Sequence, residues 1–141
     1  MCGLAGIWDF SRSQSSSDLG LVASQMASQL IHRGPDDQGV IIPDGSSIAL
    51  AHRRLSIIDL TITGRQPMLS SSGNLIIIYN GEIYNALELR HNLEKVGCSF
   101  RGQSDTEILL EGMAEYGVRE FLCLVNGMFS FALFDKKSNR L

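Results

Sequence analysis

Apolar positions change their spacing several times along this 141-residue chain, and each change predicts an element. Gly3 to Phe10 is a run of apolar and small residues, the pattern of a buried strand. A polar stretch from Arg12 to Ser17 leads into a helix. From there Leu19, Val22, Met26 and Leu30, with Ala23 and Ala27, recur at helical spacing. His32-Arg33-Gly34-Pro35-Asp36-Asp37 then breaks that helix with turn-forming residues. Gly39 to Ile42 and Ser47 to Arg53 follow as strands, joined by the turn Pro43-Asp44-Gly45. Leu75 to Tyr79 is a largely β-branched run that meets Asn80-Gly81.

Asn85-Ala86-Leu87-Glu88 and Ser104-Asp105-Thr106-Glu107 both have the form of a capping box. The first predicts a helix to about Val96, stopped by Gly97, and the second a helix stopped by Gly117. Phe129 to Phe134 is the last strand. Strand pairs joined by short turns favour antiparallel pairing, so the pattern predicts an α+β domain rather than a doubly wound parallel sheet. No repeat or linker marks a second domain, and a chain of this length holds one real core.

Composition narrows the function classes. With 44% hydrophobic and 19% charged residues, the chain reads as an ordinary globular protein. A net charge of −3 gives no electrostatic basis for binding nucleic acid or an anionic membrane. No apolar run approaches the length of a membrane span and no signal-peptide pattern is visible, so a cytoplasmic setting is expected. Cys2, Cys98 and Cys123 contain no CxxC pair and support neither a disulfide framework nor zinc. Cys98 and Cys123 lie among apolar neighbours and read as inert core thiols. His32, His52 and His91 share no ligand spacing with one another or with the cysteines, so no metal is expected.

Cys2 carries the sharpest chemical signal. Removal of Met1 would leave a thiol nucleophile and a primary-amine base on one residue. Taken alone, burial statistics favour a core cysteine at the head of a strand. Asn80-Gly81 has two readings as well. It is the strongest short signal for a hairpin turn, yet the residues after it lead towards a helix cap. An Asn amide and a Gly backbone N–H aimed at one point would instead form an oxyanion hole. Arg53 reads as a solvated strand-end arginine, whereas Arg54 offers the planar bidentate donor that a carboxylate needs. Asp105 is either a helix N-terminal acid or the anion for a substrate ammonium group.

Six segments occur in order: Cys2-Gly3-Leu4-Ala5-Gly6, His32-Arg33-Gly34-Pro35-Asp36-Asp37, Leu50-Ala51-His52-Arg53-Arg54-Leu55-Ser56-Ile57, Tyr79-Asn80-Gly81-Glu82-Ile83-Tyr84-Asn85, Ser104-Asp105-Thr106-Glu107 and Asn126-Gly127-Met128-Phe129-Ser130-Phe131-Ala132. Together they resemble the class II glutamine amidotransferase domain of glutamine-dependent asparagine synthetases, over essentially the whole chain. The resemblance implies an N-terminal nucleophile hydrolase fold, a four-layer αββα sandwich of two antiparallel sheets. It implies Cys2 as nucleophile with its own amine as base, and Asn80 and Gly81 as oxyanion donors. Arg54 matches the position that binds the glutamine carboxylate. Leu55, Ile57 and Ile58 match backbone lining, and Glu82 and Asp105 match positions at the α-amino end.

The implied reaction is hydrolysis of L-glutamine to glutamate and ammonia, with no cofactor in this domain. ATP and magnesium would serve a synthetase domain not among residues 1–141. The resemblance further implies that the amidotransferase domain continues past Leu141, and a homodimer is compatible with it. A non-catalytic regulatory or interaction domain with Met1 retained is the alternative reading. A cysteine hydrolase of some other amide is a third, disfavoured by Arg54 and Asp105 together.

Overall fold

The computed structural model describes residues 1–56 and 62–141. The elements run β1 (Gly3–Trp8), α1 (Ser16–Ser28), β2 (Asp37–Ile41), β3 (Ile48–Arg54), a 3-10 turn (Ile62–Gly64), β4 (Met68–Leu69), β5 (Leu75–Ile83), α2 (Ala86–Lys95), α3 (Asp105–Tyr116), α4 (Val118–Leu122) and β6 (Gly127–Asp135). The strands form two three-stranded sheets, ordered β1-β3-β2 and β4-β5-β6, with antiparallel neighbours throughout.

Alternation along β3 and β5 builds the layers, because successive strand residues face opposite sides. Ala49 and Ala51 of β3 face α1 and meet Leu19, Ala23 and Ala27, where small residues let the helix lie close to the sheet. Ile48 and Leu50 face the other way and pack with Ile76 and Ile78 of β5 and Phe134 of β6, forming the core between the sheets. Ile77, Tyr79 and Ile83 of β5 face the far side, against Ile108, Leu109, Leu110 and Met113 of α3 and Leu89 and Leu93 of α2. The result is helix, sheet, sheet, helix, the αββα sandwich expected. Each of these buried aliphatic side chains contributes about 1.5–3 kcal/mol relative to exposure.

Ser104 caps α3 as expected, its hydroxyl accepting from the Glu107 N–H at 3.3 Å. The Glu107 carboxylate, however, accepts from the Arg101 and Gly102 backbone rather than closing the box. Asn85 precedes α2 but makes no side-chain cap, because its amide instead bridges to Leu124 O and Asn126 N. Asn80-Gly81 is not a hairpin turn. It lies within β5, paired with Ser130 and Phe129 of β6. Arg53 is not solvated but 8% exposed, donating to Gly34 O, Gln38 Oε1 and Pro35 O. Gly34 makes this possible, since a Cβ there would lie 2.4 Å from the Arg53 carbonyl. Cys123 is exposed rather than core, while Cys98 is half-buried against the α2/α3 cluster.

Candidate active site

A cavity of about 480 Å³ opens where the two sheets meet, lined among others by Cys2, Arg54, Leu55, Asn80, Gly81, Glu82 and Asp105. Seven of the nine residues expected at the site therefore share one cavity. Ile57 and Ile58 lie outside the described residues.

Cys2 sits one step before β1. The β1/β3 register pairs Gly3 with Arg53, and continuing it by one residue sets Cys2 beside Arg54. Its sulfur accepts from the Leu55 N–H at 3.4 Å and lies 3.8 Å from Leu55 O. Arg33, from the segment that ends α1, donates to the Cys2 carbonyl at 3.2 Å. Strand parity sends Asn80, like Ile76 and Ile78, towards the first sheet. There its Oδ1 accepts from the Cys2 N–H at 2.7 Å. With Oδ1 committed to that nitrogen, the Asn80 Nδ2 is the end available as a donor.

The second donor follows from the short β4. That strand pairs with Ile76 and Ile77, and beyond it no strand among the described residues pairs with this edge of β5. On this edge the Tyr79 N–H donates to Gln66 Oε1 at 2.6 Å and the Ile83 N–H donates to Asp105 Oδ2 at 3.2 Å. Gly81 lies between them with the same parity, so its N–H faces away from β6 and towards the cavity. Glycine is needed here for space, because a Cβ would meet Phe129 Cβ and Met128 O at 2.4 Å. An Asn amide and a Gly N–H lining one cavity with a thiol are the groups that can stabilise an oxyanion formed by attack on an amide carbonyl.

Asp105 opens α3 and is 7% exposed. Burial pushes its carboxyl above the usual carboxylate range, and hydrogen bonds from the Tyr79 phenol and the Ile83 N–H work against that. Arg54 is 8% exposed and Glu82 is exposed at the cavity rim. Gln66, His52 and Arg33 support the site without a local sequence signal, since each acts through a contact at long separation.

His52 spans the two sheets. A carbonyl can only accept, so Nε2 carries the proton donated to Tyr79 O at 3.0 Å, and the buried Nδ1 has no partner among the described residues. Burial pushes this imidazole from 6.5 down to about 4; the Tyr79 carbonyl opposes the shift, Arg54 adds to it and Asp37 opposes it. Between those two values the unfolded chain binds a proton that the folded one refuses, so stability falls as pH drops through that window and levels off below it. The expected loss from this residue is about 3 kcal/mol, at 1.36 kcal/mol per pKa unit. Denaturation at about pH 7 and about pH 4.5 should show a steeper loss for wild type than for His52→Gln. Equal losses would assign the pH dependence to other groups.

The fold is that of an N-terminal nucleophile amidotransferase. The glutamine phosphoribosylpyrophosphate amidotransferase of Bacillus subtilis, solved with ADP and GMP, superimposes with a TM-score of 0.68 at 20% identity, covering 94% of this chain and 35% of that one. The chain belongs to the glutamine amidotransferase domain family, whose model matches residues 1–141. It is 38% identical over 141 residues to asparagine synthetase [glutamine-hydrolyzing] 2 of Bacillus subtilis, covering all of this chain and 18% of that protein. Over 139 residues it is 35% identical to asparagine synthetase [glutamine-hydrolyzing] 1 of Arabidopsis thaliana, covering 99% of this chain and 22% of that protein. The chain thus spans about a fifth of the length of these relatives. Among the described residues no helix is long and apolar enough to cross a membrane.

Proposed function

We propose that this chain is the glutaminase half of an asparagine synthetase-like amidotransferase. Its Cys2 sulfur attacks the side-chain amide carbon of L-glutamine while the Cys2 α-amine, freed by removal of Met1, takes the thiol proton. The tetrahedral oxyanion is held by Asn80 Nδ2 and the Gly81 N–H. The amine then returns the proton to the departing nitrogen, which leaves as ammonia, and water hydrolyses the γ-glutamyl thioester to glutamate. The observation that carries this reading is the 2.7 Å contact between the Cys2 nitrogen and Asn80 Oδ1, which joins nucleophile, base and oxyanion donor across the two sheets.

Arg54 receives the α-carboxylate, backbone groups around Leu55, Ile57 and Ile58 line the substrate, and Asp105 with Glu82 receives the α-ammonium group. In the whole protein the ammonia passes to an ATP- and magnesium-dependent domain that forms an amide on aspartate or a related carboxylate. Among the described residues no group of three or more His, Cys, Asp or Glu is placed to hold a metal ion.

The direct test is release of glutamate from L-glutamine together with the intact mass of the protein. Glutamate formation by a chain beginning at Cys2 supports the reading. A chain that retains Met1 and releases no glutamate would support the non-catalytic alternative, in which the same nitrogen remains a peptide N–H. Arg54→Lys should raise the KM for glutamine by roughly tenfold with little change in kcat, because lysine keeps the charge and loses the two parallel hydrogen bonds. An unchanged KM would remove Arg54 from substrate recognition. Arg53→Lys is no neutral control, since three hydrogen bonds of a buried guanidinium hold the Gly34–Gln38 segment.

A further inference from the structure

Tyr79 directly precedes the Asn80-Gly81 pair, and side chains from three different parts of the chain hold its three polar groups. Its N–H donates to Gln66 Oε1 at 2.6 Å, and its carbonyl accepts from His52 at 3.0 Å. Its phenol donates to Asp105 Oδ2 at 3.0 Å. The residue is 2% exposed and its ring stacks on Phe129 at 6.1 Å between centroids, so the hydroxyl has a single direction. A phenylalanine would fill the same space against Phe129. The buried hydroxyl is costly unless hydrogen-bonded, and its partner is an acid that lines the cavity.

The Ile83 N–H donates to the same Asp105 oxygen. Oδ2 therefore carries two donors, while Oδ1 has no side-chain donor among the described residues. Backbone N–H groups of Asp105 and Thr106 also donate to this carboxylate, and a carboxylate held by several donors has a fixed place and direction. We propose that Tyr79 is a specificity-determining positioning residue, whose phenol fixes the Asp105 carboxylate so that Oδ1 receives the α-ammonium group of an amino-acid amide. The proposal rests on the glutaminase reading above and on Asp105 as the ammonium partner. Its consequence is discrimination between amides that carry an α-ammonium group and amides that do not.

The experiment compares L-glutamine with glutaramate, the same amide without the α-ammonium group, in the intact protein as wild type, Tyr79→Phe and Asp105→Asn. Tyr79→Phe should raise the KM for glutamine by roughly tenfold, the range for losing a hydrogen bond to a charged group, and leave both kcat and the KM for glutaramate nearly unchanged. The ratio of the two KM values does not depend on how much of the variant is folded, because unfolded protein lowers the apparent kcat for both substrates alike. A KM that rises equally for both, or does not rise, would overturn the role of Tyr79. Asp105→Asn tests the reading beneath it. If that variant loses the preference and Tyr79→Phe keeps it, only the Tyr79 proposal falls. If Asp105→Asn keeps the preference, the ammonium assignment itself falls, and the Tyr79 proposal with it.

Discussion

Cys2→Ala is expected to abolish glutamate formation from glutamine while leaving any ammonia-dependent amide synthesis by the whole protein intact. In the proposed reaction the Cys2 sulfur forms the bond to substrate carbon, a role its alanine variant cannot fill. Alanine retains the backbone nitrogen that faces Asn80 Oδ1 at 2.7 Å and deletes only the sulfur. Cys2 is half-buried just before β1, and among the described residues its sulfur hydrogen-bonds to the Leu55 backbone alone, so little stability should be lost. The assay measures glutamate from glutamine and amide product from supplied ammonia on the same preparation. A variant that still makes glutamate would remove Cys2 as nucleophile. A variant that loses both activities would show that the residue supports the fold rather than the reaction.

Asn80→Ala should lower kcat by roughly 10²–10³, or about 2.7–4 kcal/mol, the usual consequence of losing one oxyanion donor. KM should change far less, because the donor is strongest towards charge that exists only in the transition state. Asn80 faces two ways, however, since its Oδ1 also accepts from the Cys2 nitrogen. Asn80→Asp separates the two duties, keeping an oxygen for the amine and removing the Nδ2 donor. An aspartate variant as slow as the alanine variant assigns the loss to the oxyanion. A nearly active aspartate variant would mean that Asn80 only orients the Cys2 amine. The register excludes a hairpin turn at Asn80-Gly81, because it carries β5 through both residues to Ile83, and the two variants test the oxyanion role itself.

The misreadings share a physical cause. Asn-Gly favours a turn only where the chain is free to reverse, and here β6 pairs with β5 along its length and holds both residues extended. Asn85 had the right spacing for a capping box, but the turn before β6 offered Leu124 O and Asn126 N as tertiary partners for its amide. Arg53 looked like a surface cation because one-dimensional pattern does not reveal that the Gly34–Gln38 segment folds over its end of the strand. In each case local preference lost to a contact at long sequence separation.

The order of the longer elements, the α+β class and the alternation that sorts Ala49 and Ala51 from Ile48 and Leu50 follow from the sequence alone, because period and side-chain size act locally, whereas the short β4 and α4 carried no such signal. Membership of the glutamine amidotransferase family was legible too, since a cysteine at position 2 and the six ordered segments are properties of the string. Tertiary structure decided which groups meet. Cys2 and Asn80 are 78 residues apart and belong to different sheets, and only the packing of those sheets brings the Cys2 nitrogen to the Asn80 amide. The Gly81 N–H, the second donor of the proposed site, is left without a β4 partner because that strand is two residues long. Tyr79 became a partner of Asp105 through the closure of α3 over the same edge. Hydrogen-bond direction depends on the position of two backbones at once, and one segment of sequence specifies only its own.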